Sequence, residues 1–90
     1  MKVRNMISVS GNAVANQFIV ETDEGTYFQS YDTIIVFEPC SGGGKTQLDV
    51  HKWDYSVTTG KYRNQFLGEN IAETRKKIRA GIYELVDLNS

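Results

Sequence analysis

The sequence predicts a small α+β domain in which a mostly antiparallel sheet of about five strands carries one helix on one face. Two observations lead to this prediction. Short apolar segments separated by turn-forming residues recur along most of the chain, and one later segment has the start and stop residues of a helix. The 90 residues are 40% hydrophobic and 23% charged, which is typical of a folded globular protein. A chain of this length forms one hydrophobic core, so residues 1–90 are predicted to be a single domain.

The clearest predicted hairpin comes from two alternating segments, 17–22 and 26–31, that flank an Asp-Glu-Gly turn. With Glu24 at the tip of this turn, Val20 is expected to face Phe28 across the strand pair. Val20 and Phe28 would then share the apolar face of an amphipathic hairpin.

Residues 33–37 form the strongest predicted core strand, because this run is β-branched and aromatic without polar alternation. Such a strand is expected in the middle of the sheet, covered on both sides. Pro39 ends it, the glycines at 42–44 predict a hairpin loop, and 47–55 resumes the alternation of a strand.

One helix is predicted over about 71–80. Asn70 with Glu73 three residues later forms a capping-box pattern at its start, and Gly81 provides the stop. The preceding segment, 56–68, is polar and rich in turn formers, so it is predicted to be a connection whose order in the free protein the sequence does not decide.

Two weaker strands are predicted near the ends of the chain. Residues 3–9 have strand character and lead into a connection at 11–16. Residues 82–88 place Ile82 and Val86 at strand spacing. Together with the four stronger segments, these make up the predicted sheet of about five strands.

The charge and cysteine content exclude several classes of protein. The net charge is −1, so nucleic acid is not attracted by the protein as a whole. One cysteine and one histidine, Cys40 and His51, provide neither an internal disulfide nor a structural zinc site. Since no apolar run approaches the roughly 18 residues of a membrane span, the expected location is the cytoplasm.

The motif Ser41–Thr46 ends in Gly-Lys-Thr after an apolar strand, as a phosphate-binding loop does. A true phosphate-binding loop has glycine where this chain has Pro39, and it opens into a helix. Here the following residues predict a strand. The motif is therefore interpreted as a hairpin loop.

Catalytic chemistry is not expected. If the hairpin turns at 42–43, His51 lies opposite about Ile34, roughly 20 Å along the strand from Cys40, which is too far for a nucleophile and its base. No pair of acidic residues converges in an apolar pocket, and no calcium-loop spacing occurs. The sequence predicts no enzyme, no metal site and no cofactor.

The candidate binding surface lies between Trp53 and Phe66, where aromatic, cationic, hydroxyl and amide side chains alternate. The predicted partner-binding or ligand-binding residues are Trp53, Tyr55, Thr59, Lys61, Tyr62, Arg63, Asn64 and Gln65. The structural alternative is that Trp53 and Phe66 belong to the core and that the Thr-Thr-Gly sequence caps a turn.

The second half of the chain also carries most of the positive charge. From Lys52 to Arg79 there are seven basic residues against three acidic ones. Four of the seven form a cluster at the end of the predicted helix: Arg75, Lys76, Lys77 and Arg79. This cluster has two interpretations, a phosphate-facing patch or a solvated helix end in which Lys77 pairs with Glu73.

Several segments resemble a family of short, uncharacterised phage and prophage proteins. The resemblance lies in the string WDYSVTTGKYRNQFLGE at 53–69 and YELVDLN at 83–89, with Asn16-Gln17-Phe18 and the segment 27–31 upstream. This family has no assigned activity, so the resemblance implies a context and no functional residue. Small phage proteins without catalytic groups commonly act by stoichiometric binding.

The predicted function is therefore a non-catalytic phage-type binding protein that blocks a host or anti-phage defence protein, with a homodimer through an exposed sheet edge or face. One alternative is a protein that sequesters a nucleotide-like small molecule, with Lys61 and Arg63 on its phosphates. The other is non-specific nucleic-acid binding, which would depend steeply on salt.

Overall fold

The computed structural model describes residues 1–90. Six strands form one sheet in chain order: β1 Lys2–Ile7, β2 Ala13–Glu21, β3 Gly25–Ser30, β4 Thr33–Pro39, β5 Thr46–Asp49 and β6 Tyr83–Val86. Two helices, α1 Val57–Leu67 and α2 Ile71–Arg79, lie between β5 and β6. The predicted α+β class is confirmed, with six strands instead of about five and two helices instead of one.

The last strand pair differs from the others in direction. The first four pairs are antiparallel, whereas β5 and β6 are parallel. A parallel neighbour requires the chain to return to the same end of the sheet, and the segment containing α1 and α2 makes this crossover. Both helices therefore belong to one connection across one face of the sheet.

The hydrophobic core lies between this face and the helices. Ile19, Phe28, Val36 and Leu48 are paired in register across four adjacent strands and form its floor. Phe66 of α1 stacks on Phe28 with a ring-centroid separation of 5.8 Å. The fully enclosed part of the core consists of Met6, Phe28, Ile35, Val36, Leu48, Tyr62 and Tyr83.

The opposite face of the sheet has no helix over it. Val20, Tyr27 and Phe37 form a row on this face, with the rings of Tyr27 and Phe37 4.5 Å apart between centroids. The prediction that 33–37 is covered on both sides is therefore wrong in part. Ile35 and Val36 are fully buried, but Phe37 is only half-buried.

The predicted hairpin exists, but its register is shifted by one residue. Val20 pairs with Tyr27, because the turn has its two central residues at Asp23 and Glu24. A shift of one residue moves a side chain to the other face of the sheet, so Val20 and Phe28 lie on opposite faces. Gly25 allows the next strand to approach, since a Cβ there would lie 2.2 Å from the carbonyl oxygen of Glu38.

The β4–β5 hairpin is confirmed, but the predicted strand 47–55 ends at Asp49. The carboxylate of Asp49 is fully buried and accepts backbone N–H groups from His51, Lys52 and Leu88 at 3.2, 2.9 and 2.9 Å. These bonds fold the chain into a turn directly after Asp49. The alternating residues beyond it therefore do not continue the sheet.

Helix α1 occupies the segment predicted as a connection, so that prediction is wrong. Ser56 caps its start by accepting the N–H of Thr59 at 3.1 Å, and Gly68 ends it in the left-handed conformation at φ 70°. The buried side of α1 includes Thr59, Tyr62 and Arg63. Because two of these side chains are polar, the inner face has no apolar stripe for the sequence to reveal.

Helix α2 matches the prediction closely, since Asn70 and Glu73 form a complete capping box. Lys77, however, pairs with Glu69 at 2.6 Å and not with Glu73. Neither α1 nor α2 combines the length and the apolar composition that a transmembrane helix requires.

The two terminal strands are also present, with different limits. β1 ends at Ile7, and β2 begins at Ala13 inside the predicted connection 11–16. In β6 the buried side chain is Tyr83, whereas Ile82 lies outside the strand and is 55% exposed. The strand predicted over 82–88 is therefore present with Val86 half-buried in it, but the prediction for Ile82 is wrong.

Candidate binding groove

The largest concave surface of the protein is a groove beside the first half of α1, which we call the α1 groove. Its volume is about 630 Å³, and it is open to solvent along its length. The turn before α1, the helix itself and the first residue of α2 contribute its lining. The lining residues are Asp54, Tyr55, Ser56, Val57, Gly60, Lys61, Arg63, Asn64 and Ile71.

Four of the eight predicted binding residues line this groove: Tyr55, Lys61, Arg63 and Asn64. The helical conformation of 57–67 explains this, because it brings residues 60–64 beside the turn that precedes α1. Tyr55 is 44% exposed, and Lys61 is exposed as well. These two side chains are directly available to a partner.

The other four predicted residues lie elsewhere. Thr59 is fully buried, and its hydroxyl hydrogen-bonds to that of Ser30 at 2.9 Å. Tyr62 is in the core, Trp53 packs against the core, and Gln65 donates to the carbonyl oxygen of Ile7 at 2.7 Å. The packing of Trp53 agrees with the structural alternative given for this segment, whereas Thr59 lies inside α1 and does not cap a turn.

Five lining residues were not among the predicted ones: Asp54, Ser56, Val57, Gly60 and Ile71. The sequence could have predicted Ser56 as a helix N-cap, because serine is common at that position and Ser56 directly precedes the first helical residue, Val57. Val57 and Ile71 belong to elements that only the tertiary structure brings together.

The wall of the groove depends on Arg63, whose side chain is only 1% exposed. Its Nη1 donates to the carbonyl oxygen of Trp53 at 2.7 Å and to Asp54 Oδ1 at 3.4 Å, and its Nη2 donates to Asn64 Oδ1 at 2.9 Å. Its guanidinium also lies 5.3 Å from the ring centroid of Trp53. Arg63 therefore fixes the chain that leads into α1.

Burial opposes the charge of Arg63, and Asp54 offsets this effect only in part. Burial lowers the pKa of its guanidinium, and the neighbouring Asp54 carboxylate raises that pKa in part. An arginine remains protonated under such conditions. Its Nε is buried without a hydrogen-bond partner, so the side chain is not fully satisfied.

Gly60 lies on the guanidinium of Arg63 and also lines the groove. A Cβ at this position would be 3.6 Å from Nη2 and 3.7 Å from Nη1, which is ordinary van der Waals contact. Neither the packing nor the helical backbone requires a glycine here.

The groove carries a surplus of positive charge. Its one acidic residue, Asp54, accepts from Arg63 and also from Arg75 at 3.3 Å. Lys61 forms no ion pair, and its Nζ lies 5.4 Å from the ring centroid of Tyr62. Lys52 does not line the groove, although its Nζ lies 4.9 Å from the ring centroid of Tyr55.

A second polar cluster holds the turn between the helices in place. Glu69, with a side chain 4% exposed, accepts from Thr74 and Lys77 at 2.6 Å each and from Tyr83 Oη at 2.9 Å. Burial alone would raise the pKa of Glu69, but the three hydrogen bonds and the charge of Lys77 outweigh burial and lower it. Burial and the Glu69 charge raise the pKa of the nearby Glu38.

The remaining reactive side chains lie apart from each other. The β4–β5 register pairs Val36 with Leu48, so His51 lies near the Thr33 end of β4 and Cys40 follows its other end. The chain contains no cluster of three His, Cys, Asp or Glu side chains arranged to hold a metal ion.

The fold and the groove define a small α+β domain with an open, positively charged surface groove built on a helical crossover. Sequence comparison matches residues 1–81 to the Family of unknown function (DUF8033), and the chain belongs to this family. No curated protein and no solved structure matches the chain. The expectation of an uncharacterised family is thereby confirmed in its general form.

Proposed function

We propose that this protein is a non-catalytic binding protein of phage type, which blocks a host or anti-phage defence protein in the bacterial cytoplasm by occupying it stoichiometrically. The α1 groove is its binding surface. The observation that carries the proposal is the exposure of apolar side chains in a groove that also contains unpaired lysine charge.

The apolar side chains at the groove have no role in the core. Val57 is 91% exposed and Tyr55 is 44% exposed. Val57 is the first residue of α1, and the helix cap formed by Ser56 does not depend on burial of the Val57 side chain. Exposed tyrosine and aliphatic side chains beside cations are typical of protein interfaces.

The shape of the groove favours a protein partner over a small ligand. Sites for small molecules enclose most of the ligand surface, whereas this groove is open along its length. A nucleotide would leave much of its own surface in water there. An extended segment or a helix of a partner can fill such a groove while the rest of the partner contacts its rim.

The proposal is tested by capture of the tagged protein with its partners from infected and uninfected bacterial lysate, followed by mass spectrometry of proteins and small molecules. The captured protein is then produced separately, and its affinity is measured by calorimetry for wild type, for Tyr55→Ala/Val57→Ser and for Val9→Ser. Val9 is a matched control, because it is 100% exposed in the β1–β2 loop.

We expect the double variant to weaken binding by about tenfold or more, which corresponds to about 1.4 kcal/mol, while Val9→Ser binds as the wild type does. Both sites are exposed, so the thermal unfolding midpoint should change little. Equal affinity of the double variant would place the binding surface elsewhere. Recovery of a nucleotide without any protein would favour the small-molecule alternative.

A further inference from the structure

We propose that the partner presents an acidic segment to the α1 groove, with a carboxylate side chain against Lys61 and a neighbouring apolar side chain against Tyr55, Val57 and Ile71. This inference rests on the proposed function, because it specifies the chemistry of the partner at the same groove. Two features of the groove support it.

The first feature is the distribution of ion pairs. The protein has four, and the two at the groove both use Asp54, which is held by Arg63 and Arg75 together. Lys61, which lines the groove, has no carboxylate partner within the chain. An incoming carboxylate therefore does not have to displace an existing acid to reach this lysine.

The second feature is the combination of charge with apolar surface. Tyr55, Val57 and Ile71 line the same groove as Lys61, so charged and apolar contacts are available within one short segment of a partner. A nucleic-acid strand would present several phosphates in succession. The two aliphatic side chains in the groove offer no polar partner to a phosphate, whereas an acidic peptide can place an apolar side chain on them.

The experiment uses the full chain, labelled with nitrogen-15, and two capped peptides in a nuclear magnetic resonance titration. The acidic peptide is acetyl-Asp-Glu-Leu-Glu-Phe-amide, and its neutral match is acetyl-Asn-Gln-Leu-Gln-Phe-amide. A ten-residue oligothymidylate is the nucleic-acid probe. The variant is Lys61→Gln, with Lys76→Gln as the control, since Lys76 is exposed on α2 and does not line the groove.

The acidic peptide is expected to shift amide signals at 54–61 and to bind about fivefold to tenfold more tightly than the neutral peptide. Lys61→Gln should weaken it by about threefold, while Lys76→Gln stays within about twofold of wild type. The thermal unfolding midpoint should change little in both variants, because both lysines are exposed, so a loss of affinity would not come from damage to the fold.

Three results would overturn the inference. Equal binding of the two peptides at the groove would remove the acidic requirement and leave a groove that binds protein segments. Stronger groove shifts with the oligothymidylate would assign the groove to nucleic acid. Absence of groove shifts with either peptide would reject an acidic partner at this site, while the capture experiment with Tyr55→Ala/Val57→Ser would still decide the proposed function separately.

Discussion

Replacement of Asp49 should cost more stability than that of any other acidic residue of this protein. Its carboxylate is buried, and it accepts three backbone N–H groups, from His51, Lys52 and Leu88. In Asp49→Ala all three lose their acceptor. A hydrogen bond to a charged group contributes about 1.5–3 kcal/mol, but His51 and Lys52 are exposed and their N–H groups can turn to water. The expected loss is therefore about 3–4 kcal/mol, and less than the sum of three bonds.

Asp49→Asn removes the negative charge of the side chain and keeps its shape. Its single amide oxygen can accept at most two of the three N–H groups, and its amide N–H₂ would face a donor, so a loss of about 2 kcal/mol is expected. Urea unfolding followed by Trp53 fluorescence measures both variants, with exposed Asp23→Asn as the control. A loss below about 1 kcal/mol for Asp49→Ala, at an unchanged slope, would refute the view that this carboxylate holds the turn after β5 and the segment after β6.

Three further predictions follow from buried groups. Thr59→Val should cost about 1–2 kcal/mol in urea unfolding because Ser30 loses its partner, and adding Ser30→Ala should recover part of this loss; a purely additive double variant would contradict the pairing. The pKa of Glu69 is lower in the folded protein than its usual 4.5, so its contribution to stability is present above pH 4.5 and is lost as pH falls through the folded pKa. In Glu69→Gln, the free energy of unfolding should therefore decrease less steeply below pH 4.5 than it does in the wild type. An unchanged decrease would exclude Glu69 as its cause. Phe28→Ala should cost about 3–5 kcal/mol, because it removes the ring on which Phe66 stacks; a loss within about 1 kcal/mol would show that the core can close over the gap.

The sequence predicted the elements whose residue pattern is local. The apolar run of 33–37 and the capping box at Asn70 each correspond to an element in the structure. Helix α1 could not be found in this way, because its inner face includes Thr59 and Arg63 and its first turn contains weak helix formers. Its stability comes from contacts such as the Ser30 hydrogen bond, which the sequence does not display.

The same reason explains why only four of the eight predicted binding residues line the α1 groove. The segment 53–66 was predicted from its composition, and part of it does line the α1 groove. Composition cannot separate the outward Tyr55 and Lys61 from the inward Tyr62, because that separation depends on the helical period of α1. The predicted register of the β2–β3 hairpin was wrong for a similar reason, since it depended on one residue at the turn.

The parallel pairing of β5 with β6 has a consequence for how the protein folds. Each of the strands β1 to β5 pairs with the strand that follows or precedes it along the chain. Their pairing therefore closes only short loops and costs little chain entropy. The β5–β6 pair closes a long loop that contains both helices, and it is expected to form later and to open first. Because the α1 groove lies within that loop, hydrogen exchange at 57–67 should report the closing of β6, and binding at the groove should slow the opening of the sheet edge.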